Sequence, residues 1–462
     1  MRSSSLLLLL AAALAAGCDG ASPATPVDAG PTDGPAPDLG DLDIRAVSPR
    51  NVALRWVAGR PGEVRVERGD GDGAGLVAIA RRPAAGGRFL DLALTPETRY
   101  TYRLSLCDGD ACGEPALLGP VVTPASHAPP VLPSVAAPPG AADDLILFDL
   151  TPAFMKEDDD GLVLAVDRDG TIVWEQFWAT RPANALTAVS GHRLALSLGG
   201  LMTLIDLDGS TLAQFADVYA HHDIKELSDG RFLAVAWDIF PDPATGVSVL
   251  GDIAAIFNPE LTAIDWQWRG RDHISLAERN GYDWDQVYFG LGHDWTHFNS
   301  LTLDEANGVL YVNVRNLNRI YAVAYPGGEV LWTMGDGTDF GAGLWGHSHD
   351  TVFLPNNHVM MLDNGLFRAD GEFYSRVLEL AFDPAAKTVD IAWEYRETPD
   401  FFAAALGGAE PEESGAILVT DGLNARIVEV TREKQKLWEV RFGDRYWIYR
   451  ARTVPRAFFT EW

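Results

Sequence analysis

The chain has 462 residues and a formal net charge of −29, which opposes the phosphate backbone of nucleic acid and leaves no basic face for an anionic lipid surface. Its length exceeds one ordinary domain, predicting a large domain with a smaller companion. With 45 glycines, 28 prolines, 14 tryptophans and no long apolar run at helical spacing, it reads as an all-β protein.

Residues 1–18, "MRSSSLLLLLAAALAAGC", carry an early positive charge, an apolar run and a small-residue exit. That is the layout of an export signal, too short for a stable membrane span. Its ending, Ala-Gly-Cys, resembles the lipobox of a bacterial lipoprotein signal, which implies a lipidated Cys18 and a periplasmic or cell-surface protein held to a bacterial membrane. The other reading is a soluble secreted protein cut near Ala16. Residues 19–40 are rich in Pro, Ala, Gly and Asp with almost nothing apolar to bury, and read as an extended tether.

Over residues 41–124, "NVALRWVAG", "GEVRVERG" and "LTPETRYTYRLSL" alternate apolar and polar residues, the pattern of half-buried strands. Trp56, followed by Leu94, Pro96, Thr98, Tyr100, Tyr102 and Leu104, resembles a fibronectin type III sandwich, a module that binds or spaces. Cys107 and Cys112 lie close together in "CDGDAC", where an exported chain permits a small-loop disulfide. Metal binding is the alternative, but two thiols with no histidine beside them make a poor zinc site. Residues 125–142 are proline-rich and read as a linker.

From 143 to 462 the sequence repeats loosely. "GLVLAVDRDGTIVWEQF", "LMTLIDLDGSTLAQF", "DIAAIFNPELTAIDWQW", "RIYAVAYPGGEVLWTM", "VLELAFDPAAKTVDIAWEYR" and "RIVEVTREKQKLWEV" each show a strand, a turn and a strand bearing an aromatic residue: Trp174, Phe215, Trp268, Trp332, Trp393 or Trp438. Six four-stranded units predict a six-bladed β-propeller, because one blade cannot bury both faces and a ring of blades can. The aromatic residues then serve as wedges between blades.

The histidines fall at matched places in this repeat. His222-Asp223 precedes Leu227 and the turn Asp229-Gly230 at the spacing by which His349-Asp350 precedes Leu354 and Asn356-Asn357, and His297 and Asn299 precede a third such hairpin. Innermost strands ring the channel and begin on one rim, so these side chains are expected to converge. Alternation predicts that His297 and Asn299 share one side of their strand. His221, His293 and His347 are expected at the rim or behind it, His358 in a solvent-facing hairpin turn, and Asp223 and Asp350 as backbone-orienting carboxylates.

"HHDIKEL", "DWTHFNS", "VRNLNRIYAV", "LWTMGD", "HDTVFLPNNHVMMLDNG" and "YRARTV" together resemble the motifs of the bacterial arylsulfate sulfotransferases over about residues 145 to 455. The resemblance implies transfer of a sulfuryl group from an aryl sulfate to a phenol through a sulfated histidine, with no nucleotide sulfate donor, metal or other cofactor. By motif, His349 is the nucleophile, and His222, His297 and Arg315 hold the sulfate oxygens with Asn299 as a weaker contact. His221, His347 and Asp350 stand behind them. Ser348 departs from the glutamine common before the nucleophile, and the sandwich replaces the family's own first domain, so oligomeric state is not carried over. Two other functions stay open: a quinoprotein-type dehydrogenase, and a non-catalytic binding module.

Overall fold

The computed structural model describes residues 38–71, 73–138, 143–153, 159–338 and 340–462; the export signal, Cys18 and nearly all of the tether lie outside the described residues. Asp38–Trp462 forms one compact unit. It is all-β, a six-bladed propeller preceded by a small two-sheet sandwich.

Each blade is four antiparallel strands numbered outward from the channel. The inner strands are Ala451–Val454 in blade 1, Ala183–Val189 in blade 2, Ala220–Glu226 in blade 3, Phe298–Asp304 in blade 4, His349–Leu354 in blade 5 and Gly408–Pro411 in blade 6. Blade 1 is made from both ends of the repeat, since the late strand Ala451–Val454 pairs with Leu145–Asp149. The chain therefore cannot close the ring until its last strand docks. A second tie comes from the proline-rich linker: within it Pro133–Val135 adds a fifth strand to the outside of blade 6, pairing with Lys436–Arg441. Before that strand, the Ser126 hydroxyl and the His127 N–H donate to Glu175 of blade 1.

The repeat's aromatic residues all sit on the fourth strand of their blades. The indole N–H of Trp174, Trp268, Trp393 and Trp438 donates to a carbonyl in the next blade: Leu207, Gly328, Arg432 and Arg168 respectively. Trp438 of blade 6 reaching Arg168 of blade 1 completes the circle. Each indole thus fills an inter-blade gap with its ring and satisfies a turn carbonyl with its one donor. Trp438 is fully buried, so Trp438→Ala should lower the unfolding free energy by about 3–5 kcal/mol. A urea midpoint unchanged from wild type would rule out the wedge role.

In the sandwich, one sheet holds Leu39–Ser48, Asn51–Ala58 and Arg88–Asp91; the other holds Ala74–Pro83, Glu63–Asp70, Arg99–Asp108, Ala111–Cys112 and Ala116–Val122. Trp56 packs in its core with Leu54, Val66, Tyr102 and Leu104. A disulfide joins Cys107 to Cys112 across the hairpin. The sandwich docks on blades 1 and 2: Ala53 and Leu90 share a core with Val173 and Trp174, and Asn51 Nδ2 donates to the Val173 carbonyl. The C-terminal Trp462 wedges into the same seam, its indole N–H donating to Asp206 beneath the guanidinium of Arg88.

Candidate active site

The inner strands do not run straight into the channel. In blade 3 the pairing jumps from His221 opposite Val235 to Ile224 opposite Ala234, in blade 4 from Phe298 opposite Val314 to Ser300 opposite Asn313, and in blade 5 from His349 opposite Leu362 to Val352 opposite Met360. These bulges fall at equivalent places, and a bulge swings the local side chains off the regular alternation. Backbone strain marks the same spots: φ is 62° at His222, 53° at His297 and 57° at Asp350, left-handed values that a non-glycine residue adopts at a cost. Asn299 sits inside the blade 4 bulge, so the simple alternation expected for His297 and Asn299 is interrupted there.

The result is a histidine cluster built from separate blades. Nε2 of His222 and Nε2 of His297 stand 2.9 Å apart, so one of them carries the shared proton. The rings of His222 and His349 have centroids 6.4 Å apart. Nδ1 of His297 lies 2.7 Å from Oδ2 of Asp294, and Nδ1 of His222 faces Nδ1 of His221. His221 in turn has Nε2 3.1 Å from Oδ1 of Asp252. Arg315 opens a 3₁₀ turn, Arg315–Leu317, whose first N–H donates to the His297 carbonyl; its Nη1 donates to Asn316 and lies 3.6 Å from Asp283. The other Asp283 oxygen is 2.7 Å from Nε2 of the fully buried His347.

His349 is almost fully buried, and its surroundings dictate its protonation. Nδ1 lies 2.7 Å from Oδ1 of Asn364, while Nε2 accepts the Leu406 N–H at 3.1 Å. Burial, and then the charge of Arg315, hold its pKa well below the usual histidine value, with His297 and Arg450 adding to the depression. His222 is likewise held well below by burial and by its neighbouring histidines, and His347 is pushed down to about 4 by burial and Arg315. Near neutrality these imidazoles are uncharged.

Several residues that the sequence reading did not single out complete the pocket. Tyr449, on the approach to the inner strand of blade 1, packs edge-on against His222 with centroids 5.4 Å apart, and burial raises its hydroxyl pKa well above the ordinary tyrosine value. Arg450 donates to Asp223 and lies 3.4 Å from Asp350. Both residues lie in the quoted segment "YRARTV", the signal that could have found them. Asn364 is the second signal missed, in the "LDNG" that ends the blade 5 hairpin.

Asp223 and Asp350 serve as struts. Asp223 accepts the Leu301 N–H of blade 4, and Asp350 accepts the Ala409 N–H of blade 6 and a two-pronged contact from Arg452 at 2.7 and 2.8 Å. Burial opposes its charge, but Arg450 and Arg452 overcome this and keep Asp350 ionised far below the ordinary carboxylate range. The approach is so close that a Cβ on Gly408 would meet an Asp350 oxygen at 2.3 Å. Two of the remaining histidines stand outside the cluster. His358 opens the second strand of blade 5 and pairs with Glu379 at 2.6 Å instead of lying in the turn, and His293 stacks on Trp284.

The cluster offers buried hydrogen-bond donors beside uncharged imidazoles. Asn299 Nδ2, Arg315 Nε, Tyr449 Oη and Arg450 Nε are buried and have no hydrogen-bond partner among the described residues. Buried polar groups are normally paired, so this concentration beside neutral imidazoles suits a ligand rich in acceptor oxygens. No group of three or more His, Cys, Asp or Glu side chains among the described residues is arranged to hold a metal ion.

Among solved structures, the chain is similar to a protein of unknown function from Bacteroides caccae, with 12% identity, a TM-score of 0.45, and 68% of this chain and 99% of that chain covered. It is also similar to a periplasmic gluconolactonase of Pseudomonas aeruginosa, with 12% identity, a TM-score of 0.38 and coverage of 85% and 99%. A virginiamycin B lyase from Staphylococcus aureus aligns at 9% identity and a TM-score of 0.33, covering 76% and 94%. No curated protein matches the chain significantly. The family model described as arylsulfotransferase (ASST) matches residues 132–450, which takes in the whole histidine cluster and all of the blades except the inner strand of blade 1. With well over half of its length matched, this chain belongs to the arylsulfotransferase family.

Proposed function

We propose that this protein moves a sulfuryl group from an aryl sulfate to a phenol through a sulfohistidine on His349, with no nucleotide sulfate donor. The observation that supports the reading is the buried His349, with Nδ1 on the Asn364 oxygen and Nε2 capped only by the Leu406 N–H, in a cluster that also holds buried donors without partners among the described residues. In the first half-reaction that lone pair forms the N–S bond as the S–O bond to the aryl oxygen breaks; the phenolate leaves with the electron pair and takes a proton from solvent. In the second, the acceptor phenol gives its proton to solvent, its oxygen bonds to sulfur, and the N–S pair returns to Nε2.

Charge in both transition states spreads over the sulfuryl oxygens and the aryl oxygen. Arg315, His222 and His297 are the main donors to those oxygens, with Asn299 and Tyr449 beside them. Arginine's planar fork suits two oxygens at once, which an ammonium does not. Tyr449 gives up no protein partner when it donates. Tyr449→Phe should therefore leave stability within about 0.5 kcal/mol of wild type. It should lower kcat/KM roughly 10- to 100-fold, the worth of one hydrogen bond to a charged group. Equal rates for the two proteins would remove Tyr449 from the site.

The export signal and Cys18 support an enzyme exported and lipid-anchored, in the periplasm or at the cell surface, acting on small phenols met there. The test is incubation with 4-nitrophenyl sulfate in the presence and absence of phenol. Nitrophenol release that rises with phenol, with phenyl sulfate as co-product, is expected. Absence of release at any acceptor concentration rejects the proposal, and a visible absorption band on the purified protein would point to a quinone enzyme instead.

A further inference from the structure

Asn364 follows the second strand of blade 5, His358–Asp363, and is completely buried. Its amide has a forced orientation. Nδ2 donates to the Ala403 carbonyl at 2.7 Å and to the Leu406 carbonyl at 3.0 Å, and carbonyls can only accept. Oδ1 must then be the atom facing His349, where it stands 2.7 Å from Nδ1. An amide oxygen can only accept, and so can the His347 carbonyl 3.2 Å from the same nitrogen, so Nδ1 carries the imidazole proton, with the shorter of its two contacts made to Asn364. The far side of the ring agrees: Nε2 faces a backbone N–H, which can only donate, so Nε2 carries the lone pair. The same amide that sets the tautomer also pins the Ala403–Leu406 segment, and with it the Leu406 N–H that caps Nε2. Ser375 braces the segment further, its hydroxyl donating to the Asn364 carbonyl and accepting the Ala403 N–H.

We infer that Asn364 is the positioning residue of the sulfuryl-transfer site: it locks His349 in the Nδ1–H tautomer, so that Nε2 is the nitrogen that takes the sulfuryl group, and it holds the Leu406 N–H where it can donate to a sulfuryl oxygen. The inference rests on the assignment of His349 as nucleophile. During reaction Leu406 N–H trades the Nε2 lone pair for an oxygen of the incoming group, a shift of one hydrogen bond with no bond of the protein broken. A neutral amide suits this task better than a carboxylate would. The sulfated ring, bonded to sulfur at Nε2 and to hydrogen at Nδ1, is cationic, and a carboxylate beside it would stabilise that intermediate against passing the group on. The other groups facing the ring are Arg315, His297, Arg450 and His222, none of which is an anion at work against this.

The test combines histidine ¹⁵N NMR at pH 7.5 with kinetics on 4-nitrophenyl sulfate and phenol. In the wild-type protein the His349 signal, identified by its loss in His349→Gln, is expected to show hydrogen on Nδ1; hydrogen on Nε2 overturns the inference without any turnover being measured. In Asn364→Leu, of similar volume and no polar atom, Nδ1 keeps only the longer 3.2 Å contact to the His347 carbonyl, so an Nε2–H fraction absent from wild type should appear and kcat should fall about 100-fold or more. KM for the donor should change far less than kcat, because Arg315, His222 and His297, the main groups on the sulfate, are untouched. Asn364→Asp keeps an acceptor toward Nδ1 and should recover at least tenfold of the kcat lost in the leucine variant. A leucine variant with wild-type kcat or tautomer, or an aspartate variant no better than it, overturns the inference. Transfer that survives His349→Ala would instead sink the nucleophile assignment, while the wild-type tautomer would still be read by NMR.

Discussion

His349→Ala should lower the rate of sulfuryl transfer by at least about 10⁴-fold while the protein remains folded. The side chain is buried at 1% exposure, and its loss leaves Asn364 Oδ1 and the Leu406 N–H without partners, which costs about 1–3 kcal/mol, a fraction of a domain's stability. The variant's urea midpoint should drop accordingly and its circular dichroism spectrum should not change. In the wild-type protein, quenching after donor addition and before acceptor should reveal a sulfated peptide containing His349; the variant should show none. Release of nitrophenol at the wild-type rate, or a sulfated residue elsewhere, would falsify the assignment of this nucleophile.

Arg315→Ala should lower kcat/KM by about 10²–10³-fold, the scale of losing one donor aimed at transition-state charge. A second effect accompanies it. Burial first and Arg315 second keep His349 unprotonated, and only the unprotonated ring has a lone pair to give. Removing the guanidinium raises the His349 pKa toward the ordinary histidine value, so the acid limb of the pH–rate profile should move to higher pH and activity near pH 5 should suffer more than activity near pH 8. Arg315→Lys separates the two effects. It keeps the charge and loses the fork, so the rate should fall with the acid limb left in place. An alanine variant whose profile is parallel to wild type at all pH values would show that this charge does not tune the nucleophile.

Under the proposed function, an acidic protein has to take in an anionic substrate. With a net charge of −29, the molecule's field repels a sulfate ester at long range. Binding then depends on short-range donors in a buried pocket, where each hydrogen bond is worth more than in water. Arg450 and Arg452 contribute less attraction than their charge suggests, because Asp223 and Asp350 already face them at 3.0 and 2.7 Å. Arg315 is less neutralised, its closest carboxylate oxygen being 3.6 Å away.

The propeller was legible from the chain because its repeat is written in residues whose size decides packing. A strand, a turn and an aromatic strand recur, and Trp174, Trp268, Trp393 and Trp438 take equivalent positions between blades. The matched spacing of His222 and His349 before equal turns placed both on one rim for the same reason. The strand within the linker at 125–142 was not legible, because a proline-rich composition reports only a lack of helix and core; it cannot report that an edge on blade 6 awaits a strand. His358 was misplaced by a single strand boundary, which composition resolves poorly.

Sequence alone determined the all-β class, the ring of blades, the identities of the clustered histidines and the family resemblance, since each is set by local periodicity or by residues that recur at fixed spacing. Tertiary structure alone decided which nitrogen of His349 faces an acceptor and which a donor, that Asn364, Tyr449 and Arg450 join the cluster, and which blades Asp223 and Asp350 tie together. Those properties depend on hydrogen bonds between blades, such as Leu406 to His349 across 57 residues and Arg450 to Asp223 across 227. Leu406 meets His349 only when blade 6 packs on blade 5, and Arg450 meets Asp223 only when the last strand closes the ring.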